Sequence, residues 1–160
     1  MQTHPLVDVS SLSENTQANP IQTHLVYATR ENFTGYRVEG YDANTHICLL
    51  TPKAAQALLA VANDLSQQGF TLYVYDAYRP RRAVLFFKKW SKEATHDPYE
   101  LARKKIHYPT MSKSDLFEKG YLSENSQHSY GNTVDVVLAD FETHNPVDMG
   151  APFDYLGELS

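Results

Sequence analysis

The chain has 160 residues, a length that suits one folded domain with its own hydrophobic core. Its formal net charge is −5 and it contains no long basic run, which argues against binding to a nucleic-acid backbone. No apolar run approaches membrane-spanning length, and the N-terminus lacks the pattern of a secretory signal. Cys48 is the single cysteine, so an intrachain disulfide is impossible. Together these features predict a cytoplasmic protein that does not act at a membrane.

The first half of the chain predicts two helices and a strand. Thr51 as N-cap, Pro52 at the first helical position and Gly69 beyond the end are typical helix boundaries. The predicted elements, in chain order, are a polar surface loop over residues 10–20, an extended segment over 21–27, a helix over 54–65, a strand over 70–75 and a helix from Pro80 to about Trp90.

The second half predicts two further helices and a strand. Asp97 with Glu100 three residues later has the form of a capped helix start, and a short helix is predicted near residues 112–119. The alternating, β-branched run over 133–138 predicts a strand. Since helices and strands do not alternate regularly, we expect one α+β domain over residues 1–160, with a small, mostly antiparallel sheet and flanking helices.

A histidine and an aspartate stand close together in the segment from 126 to 135. His128 lies on a loop that contains Gly131, and Asp135 lies inside the predicted strand, flanked by valines. A carboxylate among core residues is costly unless something pairs with it, and imidazole and carboxylate are both ordinary zinc ligands. The spacing alone leaves two interpretations open: a shared metal, or a loop histidine beside a hydrogen-bonded aspartate.

Arg79 follows the predicted strand at a strand-to-helix junction. Its guanidinium is a fixed fork of donors suited to a carboxylate or an oxyanion. A structural pair with Asp76, or a cap on the next helix, explains the residue equally well. Both interpretations stay open at this point.

Three more residues allow a functional and a structural interpretation. Ser126 donates to a ligand or caps its loop, and local chemistry favours the cap. Tyr27 is a strand aromatic or a pocket wall with a hydroxyl donor. Asp154 is a solvated turn residue or an anchor for a substrate ammonium. The other histidines show no i, i+4 pairing and are predicted to be surface or core residues: His4, His24, His46, His96, His107 and His144.

Five motifs, spaced over almost the whole chain, occur together in one order. They are Tyr27-Ala-Thr-Arg-Glu-Asn-Phe-Thr-Gly35, Asp76-Ala-Tyr-Arg-Pro80 with Arg82-Ala-Val84, Lys119-Gly-Tyr121, Ser126-x-His128-Ser-x-Gly131-x-x-x-Asp135 and Asp148-Met-Gly-x-x-Phe-Asp154. In this combination the chain resembles the D-alanyl-D-alanine dipeptidase family, the zinc D,D-dipeptidases that include the vancomycin-resistance enzymes. Several ordered motifs are much more specific than any single one.

The resemblance implies a zinc D,D-peptidase (hedgehog-like) fold with one catalytic Zn²⁺ per chain. His128 and Asp135 would be two of its three protein ligands, and Arg79 would stabilise charge on the scissile carbonyl. The residues implied to hold the dipeptide are Ser126, Tyr27 and Asp154, the last through the free ammonium. The implied reaction is hydrolysis of D-alanyl-D-alanine, a cell-wall peptide, to two D-alanines by metal-activated water.

The same resemblance leaves part of the site unassigned. The family supplies a general base and a third zinc ligand from a Glu-x-x-His segment beyond the Asp-Met-Gly loop, and none follows Asp148 here. Neither Glu158 nor His144 is a convincing substitute. We therefore expect the domain to be incomplete on its C-terminal side, with the rest in a longer chain or a second fragment. Tyr130 stands where relatives often have arginine, a change predicted to alter the pocket rim.

Two other functions remain open from the sequence. One is a non-catalytic relative that binds D-amino-acid peptides, and the other is a related cell-wall carboxypeptidase or L,D-peptidase. An incomplete domain would also leave apolar surface uncovered and favour a homo-oligomer.

Overall fold

The computed structural model of the protein describes residues 5–13, 21–44 and 46–158. The helices and strands in these ranges are β1 (Val7–Asp8), α1 (Val9–Ser13), β2 (Gln22–Thr23), β3 (Leu49–Leu50), α2 (Pro52–Ser66), β4 (Phe70–Asp76), α3 (Arg81–Trp90), α4 (Pro98–His107), α5 (Lys113–Glu118) and β5 (Asp135–Asp140). This is the predicted α+β class. Within the described ranges, no helix has both the length and the apolar character that crossing a membrane requires.

The helix boundaries follow from local sequence. α2 begins at Pro52, after Thr51, and ends before Gly69, as predicted. The Asp97 side chain caps α4 by accepting from the backbone N–H groups of Tyr99 and Glu100. The Glu100 side chain does not complete a capping box, because it turns into the core instead.

The larger sheet has the order β2-β4-β5, and β1 pairs with β3 in a separate antiparallel ladder. β4 runs antiparallel to β5, whereas the two-residue β2 runs parallel to β4. The register shifts by one residue between Val74 and Asp76, which makes Tyr75 a bulge and places Asp76 opposite Asp135. The bulge therefore brings two carboxylates together at one end of the sheet.

Three predictions need correction. Residues 10–13 belong to α1 rather than to a surface loop, and residues 14–20 lie outside the described ranges. Only Gln22–Thr23 of the segment 21–27 is a strand, and a 3-10 turn follows it. β5 is an edge strand and not a core strand: Val136 is 40% exposed. Because sheet order depends on long-range pairing, the alternating pattern alone could not distinguish an edge from a centre.

An aromatic cluster lies under the end of β4 that carries Asp76. Tyr27, Phe33, Phe87 and Trp90 pack with neighbouring ring centroids 5.3 to 5.9 Å apart. All four side chains are nearly inaccessible to solvent. Such packing fixes the Tyr27 ring, so its hydroxyl projects from a rigid base.

Candidate active site

The loop of His128 is held by its backbone against the end of β4. His128 lies in the 3-10 turn Gln127–Tyr130, and Gly131 ends that turn at φ +71°. Glycine suits this left-handed conformation, and a Cβ there would come within 2.7 Å of Leu6 Cδ2, so the leucine side chain would have to shift to accommodate another residue. The Arg79 N–H donates to His128 O at 3.2 Å, which connects this loop to the strand-to-helix junction.

The ring of His128 is oriented by a carbonyl group. Nδ1 lies 2.9 Å from Ala77 O, and because a carbonyl only accepts, Nδ1 carries the hydrogen. The Nε2 lone pair therefore faces Asp135, whose Oδ1 is 3.4 Å away. Burial opposes protonation of His128, but in the protonated ring Nε2–H would donate to Asp135, and this bond and the charge of Asp76 raise the pKa above its ordinary value.

The His128–Asp135 pair fits a metal ion. Two ligands at about 2.0–2.2 Å from a tetrahedral zinc ion lie roughly 3.4 Å from each other, which is the observed separation of Nε2 and Oδ1. A histidine ligand normally donates its other ring N–H to a carbonyl or carboxylate, as His128 does to Ala77. The Asp135 side chain is 32% exposed, so its carboxylate remains accessible to an ion.

Asp76 is the third member of a cluster whose possible ligand atoms all lie within 4.8 Å of one another. Its Oδ2 accepts from Nε and Nη2 of Arg79 at 3.0 and 2.8 Å, and its Oδ1 accepts from the Tyr41 hydroxyl at 2.8 Å. Oδ2 also lies 3.4 Å from Nδ1 of His128, the ring edge opposite Nε2. Asp76 is therefore better placed to orient Arg79 and His128 than to bind the same ion as Asp135.

Arg79 remains a cation within the cavity wall. Burial alone would lower its pKa, but Asp76 outweighs burial and the pKa lies well above its ordinary value. Nη2 also lies 3.8 Å from Asp135 Oδ2, and the guanidinium carbon lies 5.2 Å from the centre of the Tyr27 ring. Nη1 makes no hydrogen bond with the part of the chain that is described, so one face of the fork can still donate.

Asp154 faces the same cavity from the last loop. The Tyr27 hydroxyl donates to its Oδ2 at 2.7 Å, and the residue adopts φ +58°. Burial raises the pKa of Asp154 to about 7; the Tyr27 bond opposes this effect and the charge of Asp135 adds to it. Burial, and then Asp154, raise the pKa of Tyr27 well above its ordinary value, so the hydroxyl remains a donor.

One cavity of about 330 Å³ collects every predicted site residue: Tyr27, Arg79, Ser126, His128, Asp135 and Asp154. Its remaining walls come mainly from the segment 121–127, with Phe33 and Leu156. Ser126 occupies the N-cap position of the 3-10 turn, but its hydroxyl makes no capping bond, so the structure does not support the loop cap that local chemistry favoured. Tyr130 is 63% exposed and lies outside this lining.

A larger, apolar groove of about 520 Å³ lies on the outer face of β4 and β5. Tyr75, Val136, Met149 and Phe153 are among its lining residues. It shares no residue with the cavity of His128 and Asp135, and it offers no clustered donors for a metal or an oxyanion. The smaller, polar cavity is therefore the candidate site.

Two residues near the site were not predicted as functional. The sequence indicates Asp76 only as a structural partner of Arg79, and His107 only as a surface or core residue. His107 contacts Asp154 across 47 residues of sequence, so no local spacing could have revealed that contact.

The possible substitutes for the unassigned ligand and base lie elsewhere. The one Glu-x-x-His in the sequence is Glu93-Ala-Thr-His96, and Glu93 pairs with Lys89 and lines a different cleft. His144 follows the far end of β5, about 16 Å along the strand from Asp135. Neither residue lines the cavity of His128.

The cavity offers an imidazole, a carboxylate with an accessible edge and an uncommitted guanidinium face, which are part of what a zinc peptidase site requires. The comparison with known families agrees: a family model described as D-ala-D-ala dipeptidase, of the M15 peptidases, matches residues 6–160. The chain belongs to this family.

Individual relatives give the same assignment. The chain is 36% identical over 134 residues to the D-alanyl-D-alanine dipeptidase of Enterococcus faecium and 38% identical over 135 residues to that of Streptomyces coelicolor. It is 31% identical over 140 residues to that of Escherichia coli. These matches cover 84%, 84% and 88% of the chain, but only 63%, 63% and 58% of the relatives, so the chain spans less than two thirds of their length.

Proposed function

We propose that the protein contributes the catalytic cavity of a zinc-dependent dipeptidase that hydrolyses D-alanyl-D-alanine to two D-alanines. The observation that carries this proposal is that His128 and Asp135 line the same small cavity as the hydrogen-bonded Tyr27–Asp154 pair. A carboxylate that could bind a cation and a pair that could hold a metal ion, in one small cavity, suit a small substrate with a free ammonium group. The family membership supports the same reaction.

The substrate's ammonium would bind Asp154, whose carboxylate is oriented by Tyr27. The guanidinium carbon of Arg79 lies 5.2 Å from the ring centre of the same tyrosine, so the proposed ammonium site and the guanidinium adjoin one side chain. The Ser126 hydroxyl lines the cavity and is available to donate to the substrate.

Zinc, when bound, would lower the pKa of a coordinated water and polarise the scissile carbonyl. Of the chain's own groups, His128 and Asp135 would hold the ion, and the bond from His128 Nδ1 to Ala77 O fixes the ring. The free face of the Arg79 fork would donate to the oxygen on which negative charge develops, while Asp76 holds the guanidinium in place.

A third protein ligand and a general base complete a site of this kind. Asp154 is engaged by Tyr27 and Asp76 by Arg79, so neither is free for these roles. We propose that both roles belong to a Glu-x-x-His segment outside the residues described, in the same polypeptide or in a second fragment. The denatured intact mass of the natural protein tests this directly: a mass above 18.2 kDa, or a co-purifying fragment, is expected.

The function is tested by incubating the zinc-loaded natural protein with D-alanyl-D-alanine and measuring the release of D-alanine. We expect hydrolysis that a chelator abolishes and zinc restores. N-acetyl-D-alanyl-D-alanine should be a poor substrate because it lacks the free ammonium, and D-alanine tripeptide should be a poor one because its additional residue must also fit a cavity of about 330 Å³.

Replacement of Asp135 tests whether the proposed zinc ligand is needed for hydrolysis. Asp135→Asn should lose zinc and activity with little loss of fold, because the side chain is partly exposed and similar in size. Binding of the dipeptide without hydrolysis by the zinc-loaded protein would indicate a non-catalytic binding protein. Faster cleavage of the longer peptides would indicate a carboxypeptidase.

A further inference from the structure

We propose that His107 is a positioning residue that holds Asp154 in the geometry needed to bind the substrate ammonium, an inference that rests on the proposed dipeptidase function. His107 is the last residue of α4, is 3% exposed and is not among the residues that line the cavity. Its Nδ1 lies 3.1 Å from the backbone oxygen of Asp154. His107 therefore influences the cavity through the backbone of Asp154 and not by contact with the substrate.

The tautomer of His107 is fixed by a neighbouring cation. Arg103 Nη2 lies 2.6 Å from His107 Nε2, and because a guanidinium only donates, Nε2 must accept. The hydrogen is therefore on Nδ1, which donates to Asp154 O. Burial, and then the charge of Arg103, lower the pKa of His107 to about 4, so the imidazole is neutral at neutral pH.

The backbone conformation of Asp154 is favoured by such an anchor. Its φ of +58° is in the left-handed region, which aspartate adopts more readily than most residues other than glycine but which is still uncommon. The His107 side chain holds the carbonyl of Asp154, and the His107 backbone oxygen accepts from the Leu156 N–H at 2.7 Å. The two bonds hold the carbonyl of Asp154 itself and the backbone two residues further along the loop.

Arg103 connects these bonds to the other half of the ammonium site. Besides His107, its guanidinium donates to the carbonyl oxygens of Glu31 at 2.6 Å and Asn32 at 3.1 Å. These carbonyls belong to the turn that follows Tyr27, the residue whose hydroxyl holds Asp154 Oδ2. Arg103 thus contacts the turn after Tyr27 directly and the Asp154 loop through His107, which fixes the position of one relative to the other.

The test compares His107→Phe with His107→Asn in the zinc-loaded, full-length protein. Phenylalanine removes the donor at nearly constant volume, whereas the asparagine amide places an N–H near the position of Nδ1. We expect H107F to raise the KM for D-alanyl-D-alanine about tenfold with a smaller change in kcat, and H107N to recover most of the loss. Lys105→Ala, at an exposed position of α4, is the matched control and should leave both constants unchanged.

A double-mutant cycle separates positioning from general damage. In an Asp154→Asn background, H107F should cost less than twofold in kcat/KM, because the group that it positions is already disabled. An undiminished loss in that background, with a lowered melting temperature, would overturn the proposal and leave His107 a purely structural residue.

Amide hydrogen exchange gives a readout that needs no activity. H107F should speed exchange across residues 153–157 at least tenfold while the helices keep their protection. Unchanged exchange at these amides would overturn the role of His107. A wild-type protein that releases no D-alanine would instead overturn the proposed function, so the two failures are distinguishable.

Discussion

The Tyr27 hydroxyl donates to Asp154 Oδ2 at 2.7 Å, joining residues 127 positions apart in sequence. Tyr27 belongs to the rigid aromatic cluster, and Asp154 belongs to a loop whose backbone is held by His107. The bond therefore joins the core to the last described loop of the chain. It also brings a carboxylate with a raised pKa to the cavity that contains Arg79.

Replacement of Tyr27 by phenylalanine should weaken dipeptide binding in a pH-dependent way. The Tyr27 bond lowers the pKa of Asp154, so Tyr27→Phe should raise that pKa above about 7 and leave less carboxylate ionised at neutral pH. We expect kcat/KM for D-alanyl-D-alanine to fall about tenfold at pH 7 and to recover partly at pH 9. The measurement is a pH profile of kcat/KM from pH 6 to 9. Tyr73→Phe, on the outer face of β4, is the control, and identical profiles for Tyr27→Phe and wild type would contradict the prediction.

Asp154→Asn should change how the stability of the fold depends on pH. The folded-state pKa of Asp154, about 7, is above the ordinary value of 3.8, so between these values the folded state keeps a proton that the unfolded state releases. The free energy of unfolding therefore falls as the pH rises from about 4 to 7, and the asparagine variant lacks this contribution. Relative to wild type, the variant should be more stable at pH 8 than at pH 4.5. Urea unfolding of both proteins with chelator present checks this, and a constant difference across the two pH values would refute it.

The sequence was sufficient for elements whose boundaries are local. Pro52 and Gly69 delimit α2, and alternation predicts β4, because capping, turn chemistry and side-chain period act within a few residues. The ordered motifs also selected six residues that the structure brings to one cavity. Their individual roles stay predictions.

What the sequence could not supply depends on long-range contacts. The bulge at Tyr75, the edge position of β5 and the contact of His107 with Asp154 all arise from the pairing of distant segments. Asp76 was equally ambiguous, because its distance from Arg79 in sequence does not reveal that it also faces His128. Side-chain period and capping carry no information about such pairings.

Metal titration should separate Asp76 from the proposed ligands. Because Asp76 is saturated by Arg79 and Tyr41 and faces the Nδ1 edge of His128, Asp76→Asn should reduce zinc affinity only about tenfold. Asp135→Asn, which removes a proposed ligand, should reduce it by more than about a hundredfold. Competition with a chelating dye measures both affinities. Equal losses for the two variants would mean that Asp76 binds the ion directly.

The fold should be sensitive to loss of the buried ion pair between Glu100 and Lys113. Glu100 is 1% exposed, pairs with Lys113 and accepts from Trp90 Nε1 at 2.8 Å and from the Tyr36 hydroxyl at 3.1 Å. Glu100→Ala leaves the buried Lys113 ammonium without its carboxylate partner. The variant should lower the free energy of unfolding by about 3–5 kcal/mol, a large part of a typical stability of about 5–15 kcal/mol.

A matched pair of variants tests whether the loss comes from the stranded charge. Combining Glu100→Met with Lys113→Met removes both charges, so the double variant should be more stable than either single variant in urea unfolding. Glu124→Gln is the control: its ion pair with Lys88 is exposed, so it should change the free energy of unfolding much less than Glu100→Ala does. If Glu100→Ala cost no more than the control, the pair would contribute no more than a surface contact, and the packing of Trp90 and Tyr36 would have to hold this region without it.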